Sequence, residues 1–212
     1  DPVKGSEARK LYHEAQTLLH KIVDEKLLTA HGVAGIFPAN SDGDDVLVFS
    51  DESRKEALTR FSFLRNQQLK PEGIPNLSLA DFIAPLSSGI PDYIGGFVVT
   101  AGHGTDALVK HFEAQQDEYN AIMAKVLADR LGEAFAEYLH VVIRKDLWGY
   151  APDEQLSVAE MLREEYRGIR PAPGYPACPE HSEKRLLFNL LKAEENTGVS
   201  LTEHFAMFPA AA

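Results

Sequence analysis

Tyr93-Ile94-Gly95-Gly96-Phe97-Val98-Val99-Thr100-Ala101 is the stretch on which the fold turns. Its short, nearly continuous apolar run reads as a strand buried on both faces, and hence as a central strand. Helix is expected from about Thr105. Further on, a helical pattern from Glu118 to about Arg144 sets Ile122, Val126, Leu127, Leu131, Phe135 and Leu139 on one side. Upstream, Val33 to Ala39 and Val46 to Phe49 read as two strands joined by the turn formers Asn40-Ser41-Asp42-Gly43, with Leu58, Phe61 and Phe63 extending the meander. Between Ser6 and about Leu28, Leu11, Leu18, Leu19, Ile22 and Val23 recur at helical spacing, so an amphipathic helix opens the chain. Pro71, Pro75, Pro85 and Pro91 each remove a backbone donor and make the stretch from Lys70 to Pro91 mostly connection. Shorter helices are expected from Val158 to Tyr166 and from Glu183 to Ala193. The sum is an α+β fold, a largely antiparallel sheet with helices packed against it.

The 212 residues are 44% hydrophobic and 25% charged, which fits one globular domain, residues 1–212, and excludes collagen, a coiled rod and wholesale disorder. A formal charge of −11 with no segregated basic patch argues against nucleic acid as a partner. No apolar run approaches the roughly 20 residues of a membrane span, so no membrane role is expected. Cys178 is the single cysteine, and an unpaired thiol fits a reducing, cytoplasmic compartment. The chain begins with Asp1, and Pro209 to Ala212 form no evident closing element, so it reads as a piece of something longer, truncated at both ends.

Three motifs could carry chemistry. Gly102-His103-Gly104-Thr105-Asp106-Ala107 matches G-x-G-x-x-A between a strand and a helix, the setting of a dinucleotide site. The second parallel strand and its acid are missing, however, so a Gly-rich strand-to-helix turn is the preferred reading, and a nucleotide-dependent oxidoreductase the lesser one. Asp129, Glu133 and Glu137 fall at i, i+4 and i+8 on the long helix, either as a solvated stripe beside Arg130 and Lys125 or as a row facing a cleft. Cys178-x-x-His181 lacks the second ligand pair a structural zinc needs, so no metal is expected. Serine-hydrolase and P-loop motifs do not occur.

The segment Arg170-Pro171-Ala172-Pro173-Gly174-Tyr175-Pro176-Ala177-Cys178-Pro179-Glu180-His181 says more. Its prolines stiffen the loop before any ligand arrives, so little ordering entropy is lost on binding, and they leave carbonyls free to accept from an exocyclic amine. Arg170 offers a planar fork for a carboxylate, Gly174 a close approach or positive φ, and Tyr175 a ring with a polar tip. Such a set suits a zwitterionic, adenine-bearing ligand. A rigid structural connection between two helices accounts for the same residues, and physics alone leaves both open.

This segment resembles the activation domain of cobalamin-dependent methionine synthase, whose S-adenosylmethionine signature reads R-x-x-x-G-Y followed by P-A-C-P-x-H. The likeness extends to Phe63-Leu64-Arg65-Asn66-Gln67, Ser78-Leu79-Ala80-Asp81-Phe82-Ile83-Ala84-Pro85, Asp92-Tyr93-Ile94-Gly95-Gly96-Phe97, Ala128-Asp129-Arg130-Leu131, Trp148-Gly149-Tyr150-Ala151 and Leu201-Thr202-Glu203. The resemblance implies a C-shaped α+β domain that binds S-adenosylmethionine and serves reductive methylation of an enzyme whose cobalamin has fallen to inactive cob(II)alamin. It implies that Arg170 binds the methionyl carboxylate, that Ala172 and Gly174 give backbone contacts, and that Tyr175, the catalytic candidate, stands between the sulfonium methyl and the corrin face. Glu133 becomes a candidate for the S-adenosylmethionine side of the cleft and Asp129 for contact with the docked cobalamin domain.

The partners implied are the cobalamin-binding domain of the same enzyme and flavodoxin or a related reductase as electron donor. No D-x-H-x-x-G motif occurs, so the corrinoid is expected on another domain. The chain would be part of a methyltransferase that moves a methyl group from 5-methyltetrahydrofolate to homocysteine. Family members carry sequence before this start, including an acid expected to hold the ligand's amino group, and a further strand and helix after Phe208. This chain by itself is therefore expected to bind S-adenosylmethionine weakly or not at all. A competing expectation is a non-catalytic interaction module that docks a corrinoid domain or reductase.

Overall fold

The computed structural model describes residues 2–209 and 211–212, with side chains from residue 5 onward. Helix α1 (Pro2–Asp24) leads into a long strand β1 (Thr29–Asp42), then β2 (Asp45–Phe49) and β3 (Ala57–Ser62). A proline-rich connection reaches β4 (Asp92–His103), which is followed by α2 (Thr105–Ala114) and α3 (Glu118–Val142). Beyond a π turn at Ile143–Leu147 come α4 (Val158–Leu162), α5 (Glu183–Leu191), α6 (Ala193–Thr197) and a two-residue hairpin of β5 (Ser200–Leu201) and β6 (Met207–Phe208). The main sheet has the order β3-β2-β1-β4 and every pairing in it is antiparallel, so the α+β expectation holds.

The strand from Tyr93 to Ala101 exists, but it is not central. β4 pairs with β1 alone among the four strands, with Val33 opposite Val98 and Gly35 opposite Gly96. Its burial is nonetheless complete from Val98 to Gly102, because helices cover both faces there. On one side Val98 packs with Phe188 and Leu191 of α5, Ala193 of α6 and Val199. On the other, the Phe135 ring of α3 reaches over Gly32 and Val99. The outer edge is also capped: Val99 exchanges hydrogen bonds with Ala212 at 2.8 and 2.9 Å, and Ala211 bridges Thr100. Residues 211–212 thus do close the sheet edge, contrary to the sequence expectation, and Ala210 lies outside the described residues.

The hairpin turn also moves. Asp42 pairs with Asp45, leaving Gly43-Asp44 as the two-residue loop with Gly43 at φ 66°, while Asn40 and Ser41 lie buried inside β1. Their polarity serves another purpose than turning. Asn40 Nδ2 donates to the Ala84 and Ile90 carbonyls at 2.9 Å each, and Ser41 Oγ to the Ile83 carbonyl at 2.8 Å, which staples the proline-rich connection to the sheet.

Of the side of α3 marked by large apolar residues, Leu127, Leu131, Phe135 and Leu139 are half-buried, but the most deeply buried line is a different one. Ile122 and Val126 are exposed, whereas Ala124, Ala128, Gly132, Ala136 and His140, four residues apart, are buried. Small side chains let the helix lie close against β4, so apolar bulk is not what marks the deepest line. In α1, likewise, Leu18 and Ile22 enter the cluster with Leu108, Val109 and Phe112, but Leu11 and Val23 face outward.

The turn from Gly102 to Ala107 is a strand-to-helix connection in an antiparallel sheet, as preferred above. Gly104 sits at φ 99°, and a Cβ there would lie 2.4 Å from the Leu27 carbonyl oxygen. Glycine is required for the close passage of α1's exit, with no phosphate needed to explain it.

Candidate ligand-binding site

The bend from Arg170 to His181 is anchored at both ends and open in the middle. Toward its carboxyl end, Cys178 is buried in the cluster of Val46, Val48, Phe61, Phe63, Ala80 and Ile83, and the Leu79 N–H donates to the Ala177 carbonyl at 2.8 Å. Inside the bend the Tyr175 N–H donates to Ala172 O (3.1 Å), the Cys178 N–H to Tyr175 O (2.9 Å) and the Gly174 N–H to Cys178 O (2.8 Å). The Cys178 thiol also donates to Ala172 O at 3.0 Å. Burial pushes that thiol up to about 11, so at neutral pH it stays protonated and acts as a structural donor rather than a nucleophile.

Two consequences follow for the backbone. The Ala172 carbonyl already accepts twice, and the Gly174 N–H is spent. Among the described residues, the Ala172 N–H and the Gly174 carbonyl are two of the bend's backbone groups that make no backbone hydrogen bond. Gly174 itself is at φ 105°, and a Cβ would fall 2.4 Å from His181 Cε1. Gly174→Ala should therefore cost about 2 kcal/mol through backbone strain, lowering Tm by about 4–8 °C in thermal unfolding followed by circular dichroism. An unchanged Tm would mean that the bend relaxes freely.

At the amino end, Arg170 Nη2 donates to Glu137 Oε1 of α3. Arg170 Nε is buried and has no hydrogen-bond partner among the described residues. Tyr175 stands 62% exposed at the crown of the bend. Glu133, one turn before Glu137, is exposed and accepts from Arg130 at 2.6 Å, and Asp129 is exposed a further turn back. The structure thus gathers Arg170, Ala172, Gly174 and Tyr175 in one bend beside α3. Of the acidic row, it joins Glu137 to the bend; Glu133 and Asp129 lie further along the helix. Glu137 carried no separate signal in the sequence beyond its place in that row.

Behind Arg170 lies a buried cluster that the sequence reading missed. Arg144 has no exposed surface; its Nε donates to the Glu154 carboxylate at 3.1 and 3.0 Å and its Nη1 to His140 Nδ1 at 2.7 Å. Its guanidinium carbon stands 4.4 Å from the Tyr166 ring centroid, and Tyr166 meets the His140 ring edge-on at 4.8 Å. Guanidinium is always a donor, so His140 Nδ1 must accept, which puts the ring proton on Nε2. Together these residues tie the end of α3 to the loop that leads into Arg170. Among the described residues no group of three or more His, Cys, Asp or Glu could hold a metal, and no helix is long and apolar enough to cross a membrane.

Comparison with known proteins bears on the family and the fold. Residues 1–212 match the family described as vitamin B12 dependent methionine synthase, activation domain. The chain is also similar to a solved structure of the MetH reactivation domain bound to AdoHcy, with 55% sequence identity and a TM-score of 0.94. That match covers 100% of this chain and 65% of the other, so the chain spans about two-thirds of its neighbour's length. The match along the whole sequence and the shared fold lead to one conclusion: the chain belongs to the activation-domain family of vitamin B12 dependent methionine synthases.

Proposed function

We propose that the bend from Arg170 to His181 binds S-adenosylmethionine and presents its methyl group to a cobalamin carried on another domain, reactivating a methionine synthase. The observation that carries this reading is a guanidinium at the base of a pre-formed bend that commits only Nη2, to Glu137, while its side chain stays 26% exposed. A carboxylate fits such a group, since an ionised acceptor satisfies several guanidinium donors at once. AdoHcy, the ligand of the similar structure, shares that carboxylate and its adenosine with S-adenosylmethionine.

Within this reading Arg170 takes the methionyl carboxylate, while the Ala172 N–H and Gly174 carbonyl serve the ligand's polar edges. Tyr175, exposed at the crown, lies against the methyl group and orients it. Glu133 lends negative charge near the sulfonium, and Asp129 faces the docking cobalamin domain. When docked, the corrinoid supplies a strong nucleophile, so these residues need only hold, orient and exclude water; no general base is required. The wider setting is a methyltransferase working between 5-methyltetrahydrofolate and homocysteine, with flavodoxin or a related reductase as electron donor. The cytoplasm, where thiols stay reduced, suits the lone Cys178.

Arg170→Ala tests the assignment. Loss of a hydrogen bond to a charged group costs about 1.5–3 kcal/mol, so S-adenosylmethionine should bind roughly tenfold to a hundredfold more weakly by calorimetry. The titration is run on this chain and on a polypeptide extended to its neighbour's length, with cobalamin-domain docking measured in parallel. Unchanged ligand affinity in both would replace this reading with that of a docking module.

A further inference from the structure

We propose that Glu137 is the positioning residue for Arg170, holding the guanidinium in place so that it meets a ligand carboxylate already oriented; the inference rests on the reading that Arg170 receives the carboxylate of S-adenosylmethionine. Two arginine–glutamate pairs lie on this side of α3, and their difference carries the argument. Arg144 commits Nε, Nη1 and Nη2 to Glu154 and His140 and is wholly buried, with side-chain exposures of 1% and 10% for the pair. It is a closed structural pair with nothing left for a ligand. Arg170 commits a single nitrogen, Nη2, to a single oxygen of Glu137, and the two side chains remain 26% and 32% exposed.

A guanidinium has five N–H donors; Glu137 takes one from Nη2, and the remaining Nη N–H groups are left for a second carboxylate. The contact also removes much of the rotational freedom of a long side chain before the ligand arrives, which is the cost pre-organisation avoids. Glu137 can do this because its own place is firm. Its neighbours Ala136 and His140 are buried, and His140 is held in turn by Arg144. Glu133 cannot substitute, since its carboxylate is exposed and engaged by Arg130.

In the bound state Arg170 would bridge two carboxylates, one from α3 and one from the ligand. Were Glu137 instead a competitor that must leave, its removal would tighten binding, so the sign of one measurement separates the two roles. Affinities for S-adenosylmethionine and for decarboxylated S-adenosylmethionine are measured in wild type, Glu137→Ala, Glu137→Gln and Arg170→Ala, using the extended polypeptide. The ratio of the two affinities reads the carboxylate contact alone, and a general loss of folding does not move it. Glu137→Ala should lower the ratio about tenfold, and Glu137→Gln, which keeps an acceptor without the charge, about threefold.

A second readout needs no ligand. The Arg170 Nε–H order parameter from ¹⁵N relaxation should be near the rigid value of about 0.85 in wild type and fall below about 0.6 in Glu137→Ala. An unchanged or increased affinity ratio in both Glu137 variants overturns the inference, as does a wild-type Arg170 that is already mobile. If Arg170→Ala leaves the ratio unchanged, the carboxylate reading itself fails. If Arg170→Ala collapses the ratio while the Glu137 variants do not, only the positioning role is lost.

Discussion

Arg144→Met should lower the free energy of unfolding by about 3–5 kcal/mol, measured as a shift in the urea midpoint at constant m-value. The loss has a specific source. Glu154 is held below the usual carboxylate range first by its hydrogen bonds from Arg144, against the opposing effect of its own burial. Without the cation that carboxylate stays largely buried with its main compensating charge gone, and His140 Nδ1 loses its donor. The Tyr166 ring loses the guanidinium stacked 4.4 Å away. Breaking one side of a buried pair is costly, whereas replacing both by apolar groups of similar volume is often close to neutral. Arg144→Met with Glu154→Met should therefore recover most of the loss. A single variant as stable as wild type would show that water enters and solvates Glu154. The loop between these residues runs on to Arg170, so the single variant should also weaken any ligand that depends on Arg170.

This cluster marks where a sequence reading stops. The antiparallel meander was legible because short apolar runs at Val33 to Ala39 and Val46 to Phe49 flank the turn formers Asn40-Ser41-Asp42-Gly43. The bend was legible because proline and glycine act locally, whatever surrounds them. The centrality of β4 was not, since a continuous apolar run reports burial and not strand order. Here α3, α5 and residues 211–212 do the burying that flanking strands were expected to do. On α3 the buried line runs through alanine and glycine, which no hydrophobicity pattern ranks above Ile122 or Val126. Arg144 and Glu154 look like ordinary surface charges ten residues apart, and only the fold brings Tyr166 and His140 around them. The Arg170–Glu137 contact is non-local in the same sense, spanning 33 positions. Local chemistry thus revealed the bend, and tertiary packing alone revealed what steadies it.

His140 gives the fold a pH dependence of its own. Burial first, then the Arg144 charge and the Arg170 charge, lower its pKa from 6.5 to about 4, with Glu154 opposing. The native ring is neutral because Nδ1 must accept from Arg144 and a protonated ring has no acceptor to offer. The folded pKa lies below the unfolded one, so between these values the unfolded chain holds a proton that the folded chain lacks. This contribution is fully present above pH 6.5, is lost as pH falls from 6.5 toward 4, and is constant below that. At 1.36 kcal/mol per unit the whole window is worth up to about 3 kcal/mol. Urea unfolding at pH 7, 6, 5 and 4 should show this decline in wild type. His140→Gln, which keeps an acceptor for Arg144 but does not titrate, should flatten the curve above pH 5, before the depressed carboxylates begin to protonate. Since the Arg170 charge contributes to holding the ring neutral, Arg170→Ala should raise the His140 pKa, visible as an upward shift of its ring resonances' titration midpoint by NMR. Identical slopes in wild type and His140→Gln would mean that the imidazole is hydrated in solution, and the coupling between this buried cluster and the bend's arginine would go with it.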